Sequence, residues 1–182
     1  MPSFDLKVPL AAAVIIAALA LSGCTPKEIY HEPNPLSGMN LYVNPDSKAA
    51  LAQAELNRSG KPDEAASLSA IAQQPTGIWL NGTPEDQALV RAAAKQAVAV
   101  KTVPVFVLYN IPNRDIGAGH SSGGAPSAQA YQDWILSIRE DMAGTDAIVI
   151  VEPDGVAAVA DGRLHDATTE RLDLIRFAVD TL

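Results

Sequence analysis

Two apolar runs limit what this chain can fold into more than any other feature. They are Val103-Pro104-Val105-Phe106-Val107-Leu108-Tyr109 and Ala147-Ile148-Val149-Ile150-Val151. Both are rich in β-branched residues and neither alternates apolar with polar, the pattern of strands covered on both faces. Pro104 is tolerable near the start of a strand. Ile78-Trp79-Leu80 reads as a third strand and Leu41-Tyr42-Val43 as a short fourth. Helical stretches separate them. Asp46 is placed to cap a helix through Ala49, Ala50, Leu51 and Ala54, broken by Gly60-Lys61-Pro62; a second helix covers residues 63–73. Thr83 is expected to cap the next helix with Pro84 in its first position, and Ser127 to cap one through Tyr131, Trp134, Ile135 and Ile138. The last helix is expected over residues 166–182, with Leu172, Ile175, Val179 and Leu182 forming its apolar face. The order β-α-β-α-β-α makes this an α/β fold with a parallel sheet. Three or four strands in that order do not close a barrel, so the expectation is half of an architecture with an apolar edge. Trp134 and Tyr42 are read as core.

The N-terminus reads as an address. An apolar run from Val8 to Leu21 is shorter than the ~20 residues a membrane-spanning helix needs and has the length of a signal peptide. It ends Leu21-Ser22-Gly23-Cys24, where small residues before a cysteine resemble a bacterial lipoprotein signal. The expected organisation is a signal over 1–23, a lipidated Cys24 with a Pro-rich tether over 24–35, and a folded region over 36–182. Export, with the chain lipid-anchored on the outer face of the membrane or secreted, follows from that reading.

Composition excludes some functions. Lys and Arg total 13 against 21 Asp and Glu, a net charge of −8, whereas a chain that neutralises phosphates would be basic. A single cysteine leaves no intramolecular disulfide and no Cys-based zinc cage, and His31, His120 and His165 lack paired metal spacing.

Function is expected where parallel strands end, because sites in such folds lie at the carboxyl ends. After the first long run comes Tyr109-Asn110-Ile111-Pro112-Asn113-Arg114-Asp115, then a Gly/Ser/Pro-rich stretch to Pro126; after the second comes Glu152-Pro153-Asp154-Gly155. Each loop places an aspartate just past a strand, on the same rim. Turn chemistry alone favours Asp and Pro there, but two such loops behind matching strands suit general acid/base work. Two facing carboxylates repel, and one then holds its proton.

These two loops resemble glycoside hydrolase family 6, the cellulases comprising endoglucanases and cellobiohydrolases. The first is similar to the family motif V-x-Y-x-x-P-x-R-D-C, carried here by Val107, Tyr109, Pro112, Arg114 and Asp115 with Ile116 in place of the cysteine. The second matches a strand followed by E-P-D. Asn34-Pro35-Leu36-Ser37-Gly38, Gly77-Ile78-Trp79-Leu80 and the final helix add to the likeness. The resemblance implies a parallel-stranded, distorted (β/α) barrel, of which the chain carries the N-terminal half.

The resemblance also implies inverting hydrolysis of β-1,4-glucan, with no metal, cofactor or covalent nucleophile. Asp154 matches the general acid. Asp115 matches the aspartate beside it, which keeps the acid's pKa high and organises water. Tyr109 matches the residue under the distorted sugar. Ser121, with Ser122 as runner-up, matches the serine that binds the catalytic water, and Trp79 the tryptophan that stacks on a sugar. Arg114 is expected to pair with a nearby carboxylate in a structural role, and Glu152 is also read as structural. The family's usual base lies in the second half of its domain. His120 is read as a solvated loop residue.

Some positions depart from the family pattern. Ile116 removes a family disulfide, Gly124 stands where many members carry Glu, Gly155 where Ser or Ala is usual, and Asn81 where Asp is common. The leading reading is a glucanase; its rivals are a catalytically inactive glucan-binding lipoprotein and an unrelated exported α/β binding module. Alone, the 182-residue chain is expected to be poorly soluble or inactive. Oligomeric state, endo or exo action and the natural polysaccharide are left open.

Overall fold

The structure, a computed structural model, describes residues 34–116, 121–163 and 167–182. The expectations for the signal, Cys24, most of the tether, His120 and the Asp166 helix start therefore lie outside the described residues. The chain divides into two units, residues 1–37 and 38–182. In the first, the described residues form a turn in which Ser37 donates its N–H to the Asn34 carbonyl.

The second unit begins with a helical hairpin, α1 (Lys48–Arg58) and α2 (Pro62–Ala72). The break falls where the sequence placed it, with Gly60 at φ +73° and Pro62 opening α2. Ser47, not Asp46, caps α1 by accepting the Ala50 N–H. Strands and helices then alternate: β1 (Ile78–Leu80), α3 (Asp86–Val100), β2 (Val105–Leu108), α4 (Ala128–Asp141), β3 (Ile148–Val151), α5 (Gly155–Ala160) and α6 (Thr168–Thr181). The strands pair in parallel in the order β1-β2-β3, with Trp79 level with Val107 and Val107 with Ile150. One sheet face, carrying Ile78, Leu80, Phe106 and Leu108, is buried with Val90, Ala93 and Ala97 of α3, Tyr131, Ile135 and Ile138 of α4, and Leu174 and Ala178 of α6.

Several sequence expectations change. Leu41-Tyr42-Val43 is not a strand but a single bridge, Leu41 to Val103. Val103 uses both its backbone groups on Asn40 and Tyr42, and from Phe106 onward the same edge of β2 is taken by β1. The helix expected from Pro84 starts at Asp86. The buried Asp86 carboxylate reaches back to the Gly82 and Thr83 N–H groups, at 2.7 and 3.2 Å, and also accepts from the Thr83 hydroxyl. Thr83 thus donates to the acid instead of capping the helix, and the first turn is not helical. Trp134 does pack against the core, and its indole N–H also ends on Asp86 at 3.2 Å. Tyr42 is buried, its hydroxyl donating to Gln96. Ser127 caps α4 as expected.

Two apolar surfaces differ more. β3, expected to be covered on both faces, is the sheet edge among the described residues, and Ile150 is exposed because its side chain lies on the sheet face opposite the Phe106 core, level with Val107 and the half-exposed Trp79. On α6 the buried stripe is Arg171, Leu174 and Ala178, while Leu172, Val179 and Leu182 are exposed. The spacing 171-174-178 is as helical as 172-175-179, and an arginine in the first position hid it from a reading based on apolar residues.

Candidate active site

β2 and β3 end side by side, and their last residues aim two loops at one rim. Tyr109 follows β2 directly, donating its N–H to the Leu80 carbonyl. Its ring is buried. Trp79 meets it edge-on at 5.7 Å, and the Arg114 guanidinium lies 5.1 Å from its centroid. The Tyr109 hydroxyl donates to Asp154 at 3.2 Å. Burial, and then the bond to Asp154 with the negative charges of Asp154 and Asp115, raises the Tyr109 pKa, so the phenol stays a proton donor at neutral pH.

Asp115 and Asp154 line one cavity of about 230 Å³, together with Ile116, Ala157, Ala158 and Arg163. Asp154 is exposed and stands immediately before the short helix α5. Asp115 accepts the Ser121 N–H at 2.5 Å. The same serine's carbonyl accepts from Arg114 Nε at 2.9 Å. Arg114 does not pair with a carboxylate, contrary to expectation. Its Nη1 donates to the carbonyls of Asn81, at 3.1 Å, and Tyr109, and no ion pair of Arg114 occurs among the described residues. A guanidinium is suited to this, because its fork of donors can bridge several acceptors that are fixed in space. Here it ties the ends of β1 and β2 to the start of the Gly/Ser loop.

Backbone geometry marks the site independently. Asn113, Asp115 and Glu152 all have positive φ, at +54°, +53° and +45°. Asn and Asp tolerate that region; Glu before a proline does not, and such strain costs on the order of 1–3 kcal/mol and gathers at functional sites. Gly124 adopts φ +102°, and a Cβ there would stand 2.0 Å from the Ile111 carbonyl oxygen. No side chain could occupy this position without moving the Ile111 backbone. Gly155 is buried, and a Cβ there would stand 3.1 Å from Ile175 and 3.2 Å from Glu152.

Glu152 is 1% exposed and accepts the Asn110 N–H on both oxygens, at 2.9 and 3.2 Å. Burial raises its pKa, opposed by the N–H groups of Asn110 and Ile111, by Tyr131 and by Arg171. The Tyr131 hydroxyl is near enough to act on this carboxylate but makes no bond of good geometry. Tyr131 and Arg171 escaped the sequence reading, as did Arg163, which donates to the Ile116 carbonyl and pairs with Asp161 at 2.5 Å. The signal for Arg171 was present: it is the one charged residue in a stripe completed by Leu174 and Ala178.

Trp79, Tyr109, Arg114, Asp115, Ser121, Glu152 and Asp154 are therefore gathered at the strand ends, and Trp79 is 53% exposed beside Tyr109. Carboxylates on successive βα loops of a parallel sheet are an arrangement suited to acid/base chemistry in α/β folds. The chain belongs to glycosyl hydrolases family 6, which its residues 36–182 match. It is 36% identical over 151 residues to endoglucanase 1 of Streptomyces halstedii, covering 81% of this chain and 45% of that protein. To endoglucanase A of Thermobispora bispora it is 36% identical over 144 residues, covering 78% and 29%. Its fold is similar to that of the endoglucanase Cel6 from Mycobacterium tuberculosis, solved in complex with methyl-cellobiosyl-4-deoxy-4-thio-β-D-cellobioside. The TM-score is 0.72, the identity 36%, and the overlap 82% of this chain and 50% of that one. The chain thus spans half or less of the length of these relatives.

Proposed function

We propose that the chain supplies the acid side of a site that hydrolyses β-1,4-glucan with inversion. The observation that carries this is the shared cavity of Asp115 and Asp154, with the Tyr109 hydroxyl on Asp154. Asp154 is the general acid that protonates the glycosidic oxygen. It is exposed on the rim, where a polymer can reach it. Asp115 holds the water on the opposite side through the Ser121 segment. Tyr109 supports the sugar ring at the cleavage point, and Trp79 offers a flat, half-exposed face for stacking. Inversion needs a second carboxylate far enough away to admit water, and that base comes from the half of the family domain these residues do not contain.

The test joins the chain to the C-terminal half of the Streptomyces halstedii endoglucanase and measures reducing sugar from a soluble β-glucan. Loss of the acid in Asp154→Asn should lower turnover by about 10³-fold, with cello-oligosaccharide binding retained. Undiminished turnover sinks the assignment, and binding without turnover in the unmutated fusion favours a glucan-binding role.

Export and lipid attachment at Cys24, with residues 24–35 as a tether, belong to the same reading. The family match starting at residue 36 supports it. Cys24→Ala should move the protein from the membrane fraction to the soluble fraction; unchanged partitioning removes the anchor.

A further inference from the structure

The turn that carries Asp115 is held from two sides by opposite charges. At its start, the Asn110 N–H donates to Glu152. At its middle, Arg171 Nη2 donates to the carbonyls of Pro112 and Asn113, at 2.9 and 3.1 Å. The donor comes from α6, far away in sequence, and the acceptor from the end of β3. Both side chains are buried, Arg171 at 5% and Glu152 at 1% exposure. Removing Glu152 leaves the buried Asn110 N–H without its partner, and removing Arg171 frees the carbonyls of the half-buried Pro112 and the exposed Asn113.

Glu152 also belongs to the other loop. Its own carbonyl accepts the Gly155 N–H at 2.8 Å, closing the turn that presents Asp154. One side chain is therefore common to both loops, and Arg171 faces it electrostatically while gripping the turn two residues before Asp115. A rotation of the 110–113 backbone that moved Asp115 would have to break one of these bonds first.

We propose that Arg171 and Glu152 are positioning residues that set the placement of Asp115 relative to Asp154. Neither touches the cavity between those two carboxylates, which other side chains line. The pair acts through the turn. The inference rests on reading Asp154 and Asp115 as the acting carboxylates, but its test does not require turnover.

The experiment uses the 182-residue chain and two readouts, residue-resolved amide hydrogen exchange and carboxyl carbon-13 titration. Arg171→Met keeps the aliphatic stem and removes the donors. The Arg114 and Ser121 amides, which lie in the held turn and on Asp115, should exchange about ten-fold faster or more while those of α3 and β2 keep their protection. The Asp115 and Asp154 titration midpoints should move relative to one another, and Arg171→Lys should restore them in part. Faster exchange spread evenly over the chain makes Arg171 a stability residue only and overturns the proposal. So do loosened amides with superimposable titrations. Should Arg171→Met not fold, Glu152→Met, similar in length and without an acceptor oxygen, takes its place, expected to release the Asn110 amide and shift the same two midpoints; unchanged midpoints overturn the proposal. A failure of the Asp154→Asn turnover test would instead remove the hydrolase reading and leave the exchange result standing.

Discussion

The loops after β2 and β3 carry one aspartate each, and they are held by different means. The turn after β3 is short and self-contained: a left-handed Glu152, the proline, and Asp154 at the mouth of α5, closed by one internal hydrogen bond. The loop after β2 is long and is held by side chains that reach it from elsewhere, Glu152 from β3 and Arg171 from α6. The dependence runs mainly one way. The β2 loop leans on the β3 turn, so damage at Glu152 should disturb both aspartates and damage in the β2 loop beyond Tyr109, whose hydroxyl binds Asp154, only one.

Glu152→Ala should have the largest effect on the fold. It strands the Asn110 N–H and leaves Arg171 without its counter-charge, a loss of about 2–4 kcal/mol readable from the urea midpoint. A loss no larger than that of a surface substitution would mean the two loops are independently held. Gly124→Ala comes next, at about 2–3 kcal/mol, because the new Cβ meets the Ile111 carbonyl and the backbone there has positive φ. Its effect should appear in the exchange of residues 110–125 and leave the Asp154 turn unchanged. Spread to that turn would blur the distinction between the loops.

The smallest effect is a pH slope. Burial raises the Glu152 pKa, so the folded chain keeps this proton to a higher pH than the unfolded chain. The stability from the neutral carboxyl is complete below the unfolded value, ~4.3, and is lost as pH rises through the folded value. The groups facing it, Tyr131 and Arg171, do not titrate in that interval. Unfolding free energies between about pH 4 and 7 should therefore decline less in Glu152→Gln than in the parent chain. Parallel curves would show that this carboxyl titrates normally.

Much of this was visible in the residues alone. The strands announce themselves through β-branched runs, and Ser127, Gly60 and Pro62 act by local chemistry that needs no partner, so those boundaries hold. The motif residues around Tyr109 and Asp154 were legible because a site at strand ends concentrates its chemistry in short stretches. What escaped depends on distance. Arg171 meets Pro112 and Asn113 across a large sequence gap, and Asp86 takes a donor from Trp134 on another helix. The partner of Arg114 was misjudged because carbonyl acceptors are anonymous in a sequence while carboxylates are not. Burial of β3 was overestimated for a related reason: an apolar run states that a strand should be covered, not which segment does the covering.

The close approach of Gly124 to Ile111 bears on what this loop can tolerate. A glycine that has let two backbone segments settle against each other acts as a ratchet. Any side chain at position 124 demands a coordinated re-routing of the backbone at Ile111, so a substitution there cannot be absorbed by a change of rotamer alone.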